Sequence, residues 1–229
     1  MIGKGKSISH GVAALEYDLA KEIDGQAAAT EIARHELYGC TGAEMVQEMK
    51  PYFTDFPNVK NNCLRFEVSP SIEESSSFTD TDWAELGNDF MQRMGLMNHQ
   101  YIIIKHSGTE SKKKQAHLHI LANRISLSGE LYRDNWIGKR ATEAANAIAK
   151  ERDFVQSQDI GKANKAEIKE AMNEVLKKLQ GFDLAKFQEE LGKLGFKVRE
   201  ARASTGKLNG YYVTARSGTE YKASEIGKG

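Results

Sequence analysis

The sequence predicts an α+β fold: a sheet with helices packed against it, followed by a small C-terminal ααβββ unit. Three observations carry this. Cys63–Ser69 alternates strictly, with Leu64, Phe66 and Val68 on one face and Arg65, Glu67 and Ser69 on the other, the mark of a half-buried strand. Two further β-rich segments follow, residues 101–106 with three consecutive isoleucines and residues 116–125. Helically spaced apolar residues precede and follow them, so the order β, α, α, β, α, β, β, α implies a mixed or antiparallel sheet covered by helices.

Each element has its own signal. Residues 2–9 read as a short strand with Ile2 and Ile8 among small and basic residues. Val12, Leu15 and Leu19 predict a helix over about 11–22, with Tyr17 on it, and a second helical stretch is expected over 27–49, interrupted near Gly39 and Gly42. Pro51 and Pro57 punctuate a loop, and residues 73–77 form a polar Glu/Ser segment. A helix over about 82–94 is expected to start at Asp82, with Glu85 three residues on as in a capping box. After the Ser128-Gly129 turn, residues 139–152 read as an alanine-rich helix. The composition changes after about Asp159, where a charged helix over 163–180 carries Ile168, Met172, Val175 and Leu179 at helical spacing. Asp183 is placed to cap another helix, and three short strands follow at 196–201, 211–215 and 220–222. A domain boundary is therefore expected at 157–163, dividing the chain into residues 1–158 and 163–229.

Composition narrows the classes of function. Hydrophobic residues make up 40% and charged residues 28% of the 229, an ordinary balance for a globular chain. No run approaches the ~18 apolar residues of a membrane span, so no membrane insertion is expected. Cys40 and Cys63 make neither a disulfide framework nor a zinc site, and a reducing cytoplasm is the expected location. The net charge is zero, which by itself argues against a nucleic-acid protein, but the charges are segregated. Residues 101–150 carry nine Lys and Arg against four acids, and residues 51–100 carry three against eight, a segregation that fits one basic and one acidic face and equally a solvated mixture arising by chance.

The most informative segment is Ala116-His117-Leu118-His119-Ile120-Leu121-Ala122-Asn123-Arg124. Side chains two apart on a strand share a face, so His117, His119 and Asn123 lie together while Leu118, Ile120 and Ala122 face a core. The preceding strand ends in His106, which a hairpin return brings beside the pair. Three neutral imidazoles with open positions left over suit a catalytic divalent metal better than a closed structural one. An isolated His-x-His more often binds nothing; three of only six histidines on adjacent strands bring the two readings level.

His106, then His117-Leu118-His119 with Asn123-Arg124 behind it, resembles the third motif of the relaxases, the mobilization branch of the HUH nuclease superfamily. The run Asp134-Asn135-Trp136-Ile137-Gly138-Lys139-Arg140 and the opening Met1–His10 resemble relaxases of Bacteroides-type mobilizable elements. The likeness spans roughly residues 1–155. It implies a HUH relaxase-like central antiparallel sheet and strand-specific DNA nicking at a transfer origin through a covalent 5′-phosphotyrosine. It also implies a divalent cofactor, Mg²⁺ or Mn²⁺ with Zn²⁺ as an occupant in crystals, and single-stranded origin DNA, accessory mobilization proteins and a coupling protein as partners. The chain departs from the pattern at Gly108, where the family usually has Asp; Glu110 is the candidate replacement, in a loop lengthened by Lys112, Lys113 and Lys114.

The resemblance makes Tyr17 the nucleophile, since relaxases of this branch carry one on the first helix; from the residues alone Tyr17 reads as a core aromatic. A phenolate attacking phosphorus conserves bond energy for later rejoining. Tyr38 and Tyr132 are the fallback candidates. Lys4, Lys6, Lys112, Lys113, Lys114, Arg124, Lys139 and Arg140 flank the motifs and are expected to contact phosphate. Asn123 and Arg124 are expected to orient a ligand or hold phosphate, with a plain strand-end hydrogen-bonding role for Asn123 an equal alternative, and Trp136 to anchor the alanine-rich helix in the core, with base stacking as its alternative. The C-terminal unit resembles a segment found inside longer relaxases after the nuclease domain, so a truncated chain and an auxiliary DNA-binding role are expected of it. Two other functions fit less well. A rolling-circle replication initiator usually carries its tyrosine after the histidines, and a non-catalytic single-strand-binding module has only the neutral charge and Gly108 in its favour.

Overall fold

The computed structural model describes residues 1–23, 26–107, 115–179, 181 and 183–227. The chain divides into two units, Met1–Ser157 and Gln158–Gly229. In the first, β1 (Ile2–Ile8) leads to α1 (Gly11–Leu19), the short strands β2 (Glu22–Ile23) and β3 (Gln26–Ala27), and β4 (Ala29–His35). Then come α2 (Gly42–Met49), a 3-10 turn (Lys50–Phe53), β5 (Cys63–Ser69), α3 (Ile72–Ser75), α4 (Asp80–Arg93), β6 (His99–His106), β7 (His117–Ser126) and α5 (Ile137–Glu151).

Five of these strands form one antiparallel sheet in the order β1-β5-β7-β6-β4. Alternation gives it two apolar faces. Leu64, Phe66, Ile103, Leu118 and Ile120 pack with α4 and α5, while Ile8, Cys63, Ile102, Ile104 and Leu121 pack with α1 and α2. The Gly-Lys-Gly-Lys opening of β1 follows from the same alternation. A Cβ on Gly3 would lie 2.4 Å from the Ala141 carbonyl oxygen, so the alanine-rich α5 closes directly on the backbone, and Lys4 and Lys6 project from the other face.

Two sequence expectations are corrected. Residues 27–49 are not one interrupted helix: 29–35 form the edge strand β4, pairing with β6 from Ala29↔His106 to His35↔Tyr101. The segment is rich in helix formers, but β6 is buried along most of its length and its backbone groups need partners on both sides, which outweighs local propensity. The helix expected from Asp82 starts two residues earlier: Thr79 is the N-cap and Asp82 the reciprocal carboxylate of a capping box.

The second unit holds α6 (Ser157–Lys178, whose first residue closes the first unit), α7 (Leu184–Lys193), β8 (Lys197–Arg202), β9 (Leu208–Thr214), β10 (Glu220–Lys222) and α8 (Ala223–Ile226). Its strands form an antiparallel sheet ordered β10-β9-β8 around a core of Ile168, Val175, Phe187, Leu191, Phe196 and Val213. Asp183 caps α7 by accepting from the amides of Ala185 and Lys186. Among the described residues, no helix is long and apolar enough to cross a membrane.

Candidate metal centre and adjoining cleft

The β6/β7 pairing sets His106 opposite His117, and alternation carries His119 to the same face. The three rings stand 4.4 to 5.4 Å apart between centroids, and one nitrogen from each lies within 4.8 Å of the other two. Across the sheet, Lys4 pairs with Glu67 and Glu67 with His119, so one row runs from a cation through a carboxylate to an imidazole. Helix α1 covers this face. Its buried residues Gly11, Ala14, Leu15 and Asp18 turn toward the sheet, and Tyr17, beside Asp18, is 60% exposed.

The hydrogen bonds fix much of the protonation. His106 Nε2 donates to the Asp18 backbone carbonyl at 2.7 Å, and His117 Nδ1 donates to the Gln115 carbonyl at 3.1 Å. A neutral His117 therefore keeps its lone pair on Nε2, which faces His119 Nε2 at 3.1 Å. Burial, then the proximity of His106 and His117, pushes the His119 imidazole down to about 2, and burial lowers His106. These rings are neutral at ordinary pH, the form that ligates metal.

A divalent cation fits this donor set. His119 Nδ1 is buried without a hydrogen-bond partner among the described residues, 3.9 Å from Asp18 Oδ1. With its proton on Nε2, His119 turns the Nδ1 lone pair toward a carboxylate; with its proton on Nδ1, two Nε2 lone pairs oppose each other. A cation held by His106, His117 and His119 would remove both conflicts and leave Nδ1–H facing Asp18, as in carboxylate–histidine–metal arrangements.

Beside His119 opens a cavity of about 260 Å³ lined by Lys4, Lys6, Arg65 and Glu67, among others. Lys4 Nζ is 3.4 Å from Glu67 Oε1, and Lys6 is exposed. Arg65 Nη2 donates to Asp18 Oδ1, and burial raises the Asp18 carboxyl above its usual range against the pull of Arg65. Lys21 Nζ lies 5.5 Å from the centre of the Tyr17 ring.

Other expected site residues lie elsewhere or are engaged. Asn123 is fully buried; its amide donates to Gln100 Oε1 and its oxygen accepts from the Ile125 amide, so it serves the sheet rather than a ligand. Arg124 donates to the carbonyls of Tyr132 and Asn61 and to the Asp134 carboxylate, a clamp between loops. Arg140 stacks 4.7 Å over the Tyr132 ring and donates to the Arg133 carbonyl. Lys139 is exposed and 3.7 Å from Glu143. Tyr132 donates its hydroxyl to the Met94 carbonyl, and Tyr38 is exposed and bonded to Glu36. Trp136 is not a core anchor: it is 80% exposed, in a left-handed conformation at the start of α5. Gly108, Glu110, Lys112, Lys113 and Lys114 lie outside the described residues.

Sequence reasoning missed Asp18, Arg65 and Glu67 as site residues. Arg65 and Glu67 stood on the polar face of the alternating strand, but nothing local marked Asp18.

Three imidazoles on one strand pair, under a helix and beside a basic cleft, define a candidate metal-dependent nuclease centre. The MobA/VirD2-like relaxase nuclease domain matches this chain over residues 17–154, and the chain belongs to that family. Among solved structures, the conjugative relaxase TrwC in its metal-bound complex with oriT DNA is similar at 12% identity and a TM-score of 0.39, over 90% of this chain and 74% of the other. A search of curated proteins finds no match.

Proposed function

We propose that the chain nicks one strand of DNA at a transfer origin through a covalent 5′-phosphotyrosine on Tyr17 and so initiates conjugative mobilization. The observation that carries this reading is the cluster of His106, His117 and His119 under the helix that bears Tyr17, in a chain of the relaxase nuclease family. A divalent ion held by the three imidazoles, Mg²⁺ or Mn²⁺, supplies polarisation of the scissile phosphate and offsets charge on its non-bridging oxygens. The Tyr17 oxygen attacks phosphorus, the bond to the 3′ oxygen breaks, and the phenol's proton ends on the departing 3′-hydroxyl. One phosphodiester replaces another, so rejoining is the same step reversed. Lys4, Lys6 and Arg65 line the cleft in which the strand's phosphates are held. The partners of this reading are single-stranded origin DNA, accessory mobilization proteins and a coupling protein, in the cytoplasm.

Labelled single-stranded oligonucleotides tiled across the transfer origin of the encoding element test the metal part. Nicking is expected with Mn²⁺ or Mg²⁺, to vanish with EDTA and to return when the metal is restored. His119→Ala should lose nicking and metal binding together, by about 100-fold or more, the scale of losing a group that stabilises transition-state charge. Nicking at the full rate in EDTA, or in His119→Ala, contradicts the reading.

A further inference from the structure

Asp18 makes three contacts that the nicking reaction as described does not use. Asp18 is 1% exposed, and its carboxylate pairs with Arg65 Nη2 and lies 3.9 Å from the orphaned His119 Nδ1. Its backbone carbonyl accepts from His106 Nε2, which fixes that ring's tautomer. One residue of α1 therefore touches two of the three imidazoles, and it is the residue next to Tyr17.

We propose that Asp18 is a positioning residue that couples the metal centre to the seating of the nucleophile's helix: its carboxylate holds His119 Nδ1–H so that Nε2 faces the ion, and its carbonyl holds His106, so that metal occupancy and the docking of α1 reinforce each other. The proposal rests on the metal reading above. Its warrant is electrostatic. A bound dication raises the acidity of Nδ1–H and strengthens its attraction to a buried carboxylate, which in turn makes the imidazole a better ligand. That gain is available only while α1 lies on the sheet. Arg65 Nη2 donates to the carboxylate and holds it aimed when no ion is bound. Because Tyr17 and Asp18 are consecutive on a rigid helical turn, whatever seats Asp18 also fixes the backbone from which the phenol projects.

Three measurements on the full chain test this. Isothermal titration with Mn²⁺ or Co²⁺ compares wild type, Asp18→Asn and a His106→Ala/His119→Ala double variant. Asn keeps the size and an oxygen for Arg65 but removes the charge. Asp18→Asn is expected to weaken metal binding ~10–100-fold, the range for partners of metal-bound histidines, while its metal-free thermal midpoint changes little. A merely structural Asp18 would instead lower the metal-free midpoint and leave the affinity alone, and that result overturns the proposal. If wild type binds no more tightly than the double variant, the three-histidine site itself falls. The third measurement needs no variant: amide hydrogen exchange in wild type, with and without saturating metal. Amides of residues 15–20 should exchange at least ~10-fold more slowly with metal; equal rates overturn the coupling even if Asp18→Asn does not fold.

Discussion

At His119 the neutral imidazole is enforced by burial first and by two neighbouring imidazoles second, and His99 and His106 are likewise lowered by burial. All three have folded values below the ordinary 6.5, so the unfolded chain binds more protons once the pH drops below that value. The stability they contribute is present above pH 6.5 and is lost as the pH falls toward the folded values, for His119 down to about 2. Each contributes a slope of up to about 1.4 kcal/mol per pH unit. Urea midpoints of metal-free protein should therefore fall between pH 7 and 5, and His119→Gln should flatten the dependence; a midpoint that holds or rises over that range contradicts this account. The histidines themselves were legible in the sequence, because an alternate-residue pair on a strand is a local pattern. Asp18 was not: it reaches the imidazoles and Arg65 only through the packing of α1 on β5, β6 and β7, an arrangement no local spacing encodes.

Elements were legible where pattern and packing agreed. Strict alternation identified β5 because one face must enter a core, and alanine-rich composition identified α5. It failed at β4, where the demand of a buried neighbouring strand outweighs a sequence of helix formers. It also misjudged Trp136, since an aromatic at a helix start has the same sequence signature whether it is buried or, as here, exposed. Helix α5 closes directly on β1, where Gly3 has no room for a side chain: an added Cβ would meet the Ala141 carbonyl oxygen at 2.4 Å and Ala145 Cβ at 2.6 Å. Gly3→Ala should cost ~1–3 kcal/mol by forcing helix and strand apart. Gly192→Ala, with nothing within 4 Å, should be neutral or slightly stabilising. Denaturant midpoints compare the two, and a Gly3→Ala protein as stable as wild type would mean that α5 does not close on β1 as described.

Over the whole molecule the zero net charge hides a division. Residues 1–157 carry 18 Lys and Arg against 22 Asp and Glu, and residues 158–229 carry 14 against 10. The basic side chains of the first unit that count for the cleft are thus few and placed rather than numerous: Lys4 and Lys6 on alternate positions of β1, and Arg65 across from Lys6 on β5. Net charge could not reveal this, because it depends on register across strands far apart in sequence. In the proposed reaction, α1 brings Tyr17, the β6/β7 pair brings the imidazoles, and β1 with β5 brings the cations. The most direct measurement of the central claim is the covalent protein–DNA species that survives SDS when the chain is incubated with a labelled origin strand and Mn²⁺. Tyr17→Phe should fold, bind DNA and metal as wild type does, and form none of that species. If Tyr17→Phe forms it at the wild-type rate, the nucleophile is another residue and the assignment of Tyr17 is wrong.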